Sequence, residues 1–533
     1  MPAPTRGAPQ RGTTTRHAPR GMVASVDQLA SAAGVSMLQG GGSAADAAVA
    51  ASAVVAVTCP HLCGMGGDLF ALVHDGNATP AALNSSGRAG RGADAVQLRL
   101  DGHSTMPFTG DIRSVPVPGC VDGWLALHDR YGRLPLAVVL EPAVVYAASG
   151  FPASPFLAAA VQLLRGIPGT EDLAGNGRLR HGDPVRRPGV ALALEAVVTH
   201  GRSGFYQGPF GEGLLELGAG EYDASDLTRP TADWVEPLRL RVWDHDVWTI
   251  PPNSQGYLTL LGAAIASGLD LPETPDESSW AHLLVESARA AGHDRPAVLH
   301  EGADVQPLLD APEVARRRAL VDPARRSALR SPAAAGDTMF LCAVDRDRMG
   351  VSLIQSNASG FGSLIFEPAT GIGLHNRGIG FSLEPGHPAE YAPGRRPPHT
   401  LAPALVTEPD GSLRAVIGTM GGDTQPQILL QLLARVFLHG QSAGAAIGAP
   451  RWALRQPASG GFDTWADPDA TVVCIESDAE AAWADGLRER GHQVDVVDGM
   501  TGTFGHAQLI EVTPLGLAGA ADPRALTGDA IGY

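Results

Sequence analysis

Residues 333–363, "AAAGDTMFLCAVDRDRMGVSLIQSNASGFGS", place one threonine at a boundary. A loose Ala/Gly segment ends at Asp337, and Thr338 opens an apolar run that reads as a buried strand. "MFLCAVD" and "GVSLIQS" are joined by the polar "RDR", which is the pattern of a β-hairpin. With the turn centred on Asp347, Asp345 faces Met349, Leu341 faces Leu353 and Thr338 faces Ser356, provided no bulge shifts the register. Two hydroxyl side chains then meet at the open end of the hairpin. A second stretch, "AVIGTMGGDTQPQILLQLLARVFLHG", reads as a strand, a Gly-Gly turn and a helix. Gly421 and Gly422 ahead of that helix could present backbone N–H groups to a developing negative charge, reinforced by the helix dipole. Each feature taken alone is also what an ordinary strand or turn contains.

The elements that must position these residues follow from pattern and punctuation. In "GMVASVDQLASAAGVSMLQ" a short strand precedes Asp27, a helix N-cap, and an Ala-rich helix ended by Gly40–Gly42. Ser43 opens another helix through Val57, and "CPHLCGMGGDLFALVHDG" turns into a strand. Gly64, Gly66 and Gly67 lack the Lys-Ser/Thr of a phosphate loop and come after a helix and before a strand, so close backbone packing is their expected role. In the helix after Gly422 the apolar stripe is Leu429, Leu432, Leu433 and Val436, with Asp423 or Thr424 at its start.

Composition bounds the rest. The 533 residues are 44% hydrophobic and 18% charged, as in a globular protein. A formal net charge of −17 argues against nucleic acid or an anionic membrane as partner. The Arg-rich stretch 314–330 reads as a solvated helix or linker. Five scattered cysteines form no disulfide or zinc framework and suit a reducing compartment. No segment is long and apolar enough to span a bilayer, and residues 1–20 are polar, Pro-rich and without the apolar core of a signal peptide. The chain reads as soluble and cytoplasmic, with a disordered tail over 1–20 and no metal or cofactor.

Seven motifs in order, "GGSAADAAVA", "GMGGDLFAL", "GDTMFLCAVD", "FGS", "RRPPHTLAPALV", "GTMGGD" and "ADPR", resemble the γ-glutamyltransferase family of N-terminal-nucleophile hydrolases, from Gly21 to the C-terminus. The resemblance implies an α/β fold, the four-layer αββα sandwich, and a precursor that cuts itself at Asp337–Thr338. A large chain, 21–337 after the tail, and a small chain, 338–533, would form a heterodimer. Cleavage frees an α-amino group with an ordinary pKa of about 7.7–8.0, so Thr338 supplies both nucleophile and base. Ser356 falls on the hydroxyl residue beside the nucleophile, and Gly421 and Gly422 fall on the oxyanion-hole pair. The implied path is an ester on Thr338, resolved by water or an acceptor amine.

The residues that hold a glutamyl group in this family are largely replaced. Its ammonium-binding acid falls on Gly380, and the asparagine after the nucleophile hairpin falls on Ala358. A glutamine becomes Arg377 beside a retained Asn376. The carboxylate-binding serine pair becomes His399-Thr400. The arginine of the large chain falls on Ser86, with Arg88 two residues on as a possible substitute. A carboxylate exchanged for glycine and an amide for arginine make the pocket anion-friendly. The reading is therefore a self-processing hydrolase or acyltransferase on an amide of a small carboxylated substrate, γ-glutamyl compounds being the default class. An amidohydrolase or acylase on another acyl group, oxamate-like or a biosynthetic intermediate, is the alternative, and a pseudoenzyme is a third.

Overall fold

The computed structural model describes residues 13–174, 178–329, 339–456, 464–465, 467, 469–499 and 502–533. Thr338 and the Asp337–Thr338 bond lie outside the described residues.

Alternation along the strands builds the layers. In Asp68–His74, Leu69, Ala71 and Val73 join a core shared with helices, whereas Phe70 and Leu72 join a core between two sheets. Successive side chains of a strand point to opposite faces, so an apolar residue at every position means cover on both sides. Met339–Val344 divides the same way: Met339, Leu341 and Ala343 outward, Phe340, Cys342 and Val344 inward.

The first sheet runs in the order 529–532, 22–25, 339–344, 350–356, 68–74, 81–85, 233–235, and every neighbouring pair is antiparallel. The second runs 16–18, 516–521, 507–513, 413–419, 404–407, 245–249, 238–242, again antiparallel throughout. Phe340, Ile354, Leu405 and Val416 pack together between the sheets. Helices Gln28–Gln39 and Ala44–Thr58 cover the first sheet, and Tyr257–Ala266, Ser278–Gly292 and Gln425–Leu433 cover the second. This is the αββα sandwich expected from the sequence.

The helix ends follow the expected chemistry. Asp27 accepts from the Leu29 amide, and Ser43 and Asp46 form a reciprocal capping box. Ala44–Thr58 is buried along its whole length, which its alanines permit. The hairpin has the expected register, with Leu341 facing Leu353 and Met339 facing Gln355.

Two expectations need correction. Arg16–Ala18, inside the stretch read as tail, forms an edge strand on Gly516–Ala521; edge pairing uses backbone groups, so its polar side chains gave no strand pattern. Within the Arg-rich stretch, Arg317 is buried, held by Asp294 and Glu313.

Candidate active site

Ser356 ends its strand directly across from Asp68. Its carbonyl sits where a side chain on Gly67 would collide with it, so the glycine permits this close approach. Ser356 Oγ accepts from the Ala358 amide at 2.8 Å. Asp68 is fully buried. Its Oδ1 accepts from the Gly87 amide at 2.8 Å, and its Oδ2 accepts from His399 Nε2 at 3.0 Å, with His375 Nδ1 at 3.4 Å. Burial works to push this carboxyl up, but His375 and His399 outweigh it and hold Asp68 ionised, well below the usual carboxylate range.

His399 is gripped through its backbone, donating its amide to Asn253 O and accepting at its carbonyl from Gln255 N. Its Nδ1 accepts from the Leu401 amide at 3.3 Å, which fixes the Nε2–H tautomer. Burial, then the nearby Arg377 guanidinium, lower the imidazole to about 3, so it is neutral at pH 7. Arg377 is itself buried. Gln255 Nε2 donates to both Thr400 O and Gly422 O at 2.9 Å, tying the His399–Thr400 segment to the glycine pair. Thr400 Oγ1 is buried without a hydrogen-bond partner among the described residues.

The glycine pair lies near the start of the hairpin because its strand packs on it. Gly418 leaves room for the Phe340 ring, where a side chain would collide, and Gly421 follows three residues later. Thr419 Oγ1 donates to Met420 O at 2.7 Å, and Thr424 Oγ1 to Gly421 O at 2.7 Å. In a trans peptide N–H and C=O point oppositely, so the Thr424 anchor on the Gly421 carbonyl aims the Gly422 amide away from the helix start. The pair has φ of 136° and 59°, the left-handed region that glycine tolerates.

The gamma-glutamyltranspeptidase family profile matches residues 30–532. The chain belongs to the gamma-glutamyltranspeptidase family. It is 35% identical to an oxamate amidohydrolase proenzyme of Klebsiella pneumoniae over 96% of this chain and 98% of the relative. It is 34% identical to a glutathione hydrolase-like proenzyme of Bacillus subtilis over the same shares. Among solved structures, the cephalosporin acylase from Bacillus halodurans superposes with a TM-score of 0.88 at 31% identity, covering 100% of this chain and 98% of that one. Relatives that are hydrolases and acylases make this chain an enzyme of the same kind.

Against the gamma-glutamyltranspeptidase pattern, the structure sorts the expected residues. Ser356, Arg377, His399, Thr400 and the glycine pair gather around the end of the hairpin. Asn376 is there too, but its side chain accepts from the Ser359 amide and donates to Phe108 O, which makes it a brace for the turn. Arg88 is engaged elsewhere, with Glu301 at 2.6 Å, Asp233 at 3.4 Å and Gly394 O at 3.0 Å. Glu367 accepts from the Ala369 and Thr370 amides, and Glu384 is exposed.

Gly380 cannot simply regain a carboxylate, since a side chain there would collide with Pro398 O. Ala358 stands at φ 74°, a conformation asparagine adopts more readily than alanine. Asp68 and His375 were not singled out from the sequence. Asp68 sat within a family motif, but its contact with Ser356 and His399 depends on pairing across 288 and 331 positions.

A cavity of about 630 Å³ opens beside Gly421, flanked by Leu62, Phe156, Leu163 and the buried His61 and His506. Burial, then His506, lower His61 to about 3; burial, and beyond it Arg451 and Arg524, lower His506 to about 4 against the opposing pull of Asp522. With His399 these rings are neutral in the fold but protonate near pH 6.5 when unfolded. Their stabilising contribution is thus present above about pH 6.5 and lost as pH falls toward about 4 for His506 and about 3 for His61 and His399, at about 1.4 kcal/mol per pH unit for each ring. Urea midpoints should therefore drop from pH 7 to pH 5. A constant midpoint would contradict neutral burial.

Proposed function

We propose that the chain is a self-processing hydrolase in which Thr338, freed as a new N-terminus, attacks an amide carbonyl of a small carboxylated substrate. The observation that carries this reading is the hairpin register. Met339, the residue after Thr338, faces Gln355, the residue before Ser356, and the glycine pair follows the strand packed against that hairpin. The α-amino group takes the hydroxyl proton as the ester forms, and passes it to the departing amine as the C–N bond breaks. Water then adds to the ester carbon, giving a proton to the α-amino group, and the acyl C–Oγ bond breaks as that proton returns to the Thr338 oxygen, releasing the acid. The Gly421 and Gly422 amides stabilise the negative oxygen in both steps, with Ser356 beside the nucleophile.

Arg377 and His399 supply the acyl side. A buried guanidinium with a neutral imidazole held by Asp68 favours an anionic or carbonyl-rich acyl group over a free α-ammonium. That supports an amidohydrolase acting on an acyl group like that of oxamate, the substrate named for the Klebsiella relative, ahead of γ-glutamyl transfer. Thr400, whose hydroxyl has no partner among the described residues, is a further acyl-side contact, whereas Arg88 and Asn376 act as supports.

Arg377→Gln tests this directly. KM for an anionic acyl amide should rise about ten- to a hundredfold, in keeping with a lost charge-assisted bond, while processing continues. Unchanged kinetics with only a lower Tm would make Arg377 a structural cation.

A further inference from the structure

The cavity beside Gly421 contains none of the acyl-side residues. Arg377, His399 and Thr400 are absent from its lining, while Gly421 and Thr424 border it directly. A substrate whose acid end lies at Arg377 and whose carbonyl oxygen lies at the glycine pair has one part left to place, the amine. The space is far larger than an unsubstituted amide needs, since cavities of about 300–1,000 Å³ hold drug-sized ligands.

Its walls are predominantly apolar. Phe156 lies on helix Pro155–Ala160, and Leu163, an exposed leucine at 59%, lies on the following turn and forms the lip. Leu62 and Met420 also line the space. The Phe156 and His506 rings lie 5.6 Å apart, tilted by 36°. Among the polar groups of the lining, two are buried imidazoles. His61 is 6% exposed and His506 4% exposed. Among the described residues, His61 Nδ1 and both ring nitrogens of His506 have no hydrogen-bond partner. Buried polar atoms without partners are rare, and here they line a cavity that can supply one.

We propose that this cavity is the pocket for the amine half of the substrate and takes an arylalkyl amine bearing a neutral hydrogen-bonding substituent, a hydroxyl above all. The proposal deepens the amide-hydrolase reading and rests on it. An arene matches Phe156 and Leu163 in shape and polarity. A hydroxyl both donates and accepts, and a neutral imidazole offers one of each. An ammonium at this end would instead meet Arg455, which also lines the space. The reaction is ordinary hydrolysis: the C–N bond breaks, the acyl carbon gains hydroxyl from water and the amine leaves with the proton.

The test is a series of amides sharing one acyl group, for example oxamate and its N-methyl, N-benzyl and N-(4-hydroxybenzyl) derivatives, with the γ-glutamyl series in parallel. For the processed protein, kcat/KM should rise at least about tenfold from methyl to benzyl, and about tenfold again with the hydroxyl. Ala159→Trp, which fills the cavity, should collapse the benzyl-to-methyl ratio. His506→Phe should remove the hydroxyl preference and keep the benzyl preference. Turnover of the unsubstituted and methyl amides with no gain for the benzyl ones overturns this proposal and leaves the hydrolase reading standing. Failure of the processed protein to cleave any of the amides overturns both.

Discussion

Thr338→Ala is expected to stay a single chain and to show no turnover on any amide. In the proposed mechanism processing and substrate cleavage use the same hydroxyl, so one substitution should remove both. The strand that follows, Met339–Val344, is buried between its neighbours and does not depend on the hydroxyl for its packing. The variant should therefore fold, with a far-UV spectrum and Tm close to those of the parent protein. A denaturing gel separates the outcomes: one band for the variant, and two bands, from 1–337 and 338–533, for the parent protein. Thr338→Ser keeps a hydroxyl and should still be cut. An alanine variant that is cut, or uncut but active, would place the nucleophile elsewhere.

The second large effect is expected at the glycine pair. Gly422→Val should lower kcat about 10²–10³-fold with little change in KM, the loss that follows removal of one oxyanion donor. At φ 59° a β-branched residue is strained, so the turn must rearrange and the amide must move. At Gly421 even a methyl group would meet Thr424 Oγ1 at 2.5 Å, loosening the bond that anchors the Gly421 carbonyl. Gly422→Ala is the milder companion and should lose activity in the same direction. The measurement needs protein that is already processed, because in the proposed mechanism the same donors serve the cleavage step. A processed Gly422→Val enzyme with normal kcat would remove the pair from the mechanism.

Local features of the site were legible in the sequence, and contacts between distant segments were not. The hairpin register followed from a short polar turn and two apolar runs, which is a local relation. Asp27 and Ser43 could be named as caps because a cap acts within three residues. The packing role of Gly67 followed from its place between a helix and a strand. Asp68, by contrast, acquires its meaning from Ser356 and His399, hundreds of positions away. His61 and His506 are 445 positions apart and share one cavity wall, which no spacing rule relates. Arg88 shows the converse. Its charge suited an anion, but Glu301 and Asp233 reach it first in the fold. Gly380 could be read as a lost carboxylate; that Pro398 fills the space was a matter of packing.

The central claim is that Thr338 becomes a chain terminus and acts as the nucleophile. Intact-mass and N-terminal analysis of the purified wild-type protein tests it most directly. The expected result is a small chain spanning 338–533 that begins Thr-Met-Phe-Leu, with catalytic activity appearing in step with that fragment. A small chain beginning at any other residue, or full activity from an uncut chain, would contradict it.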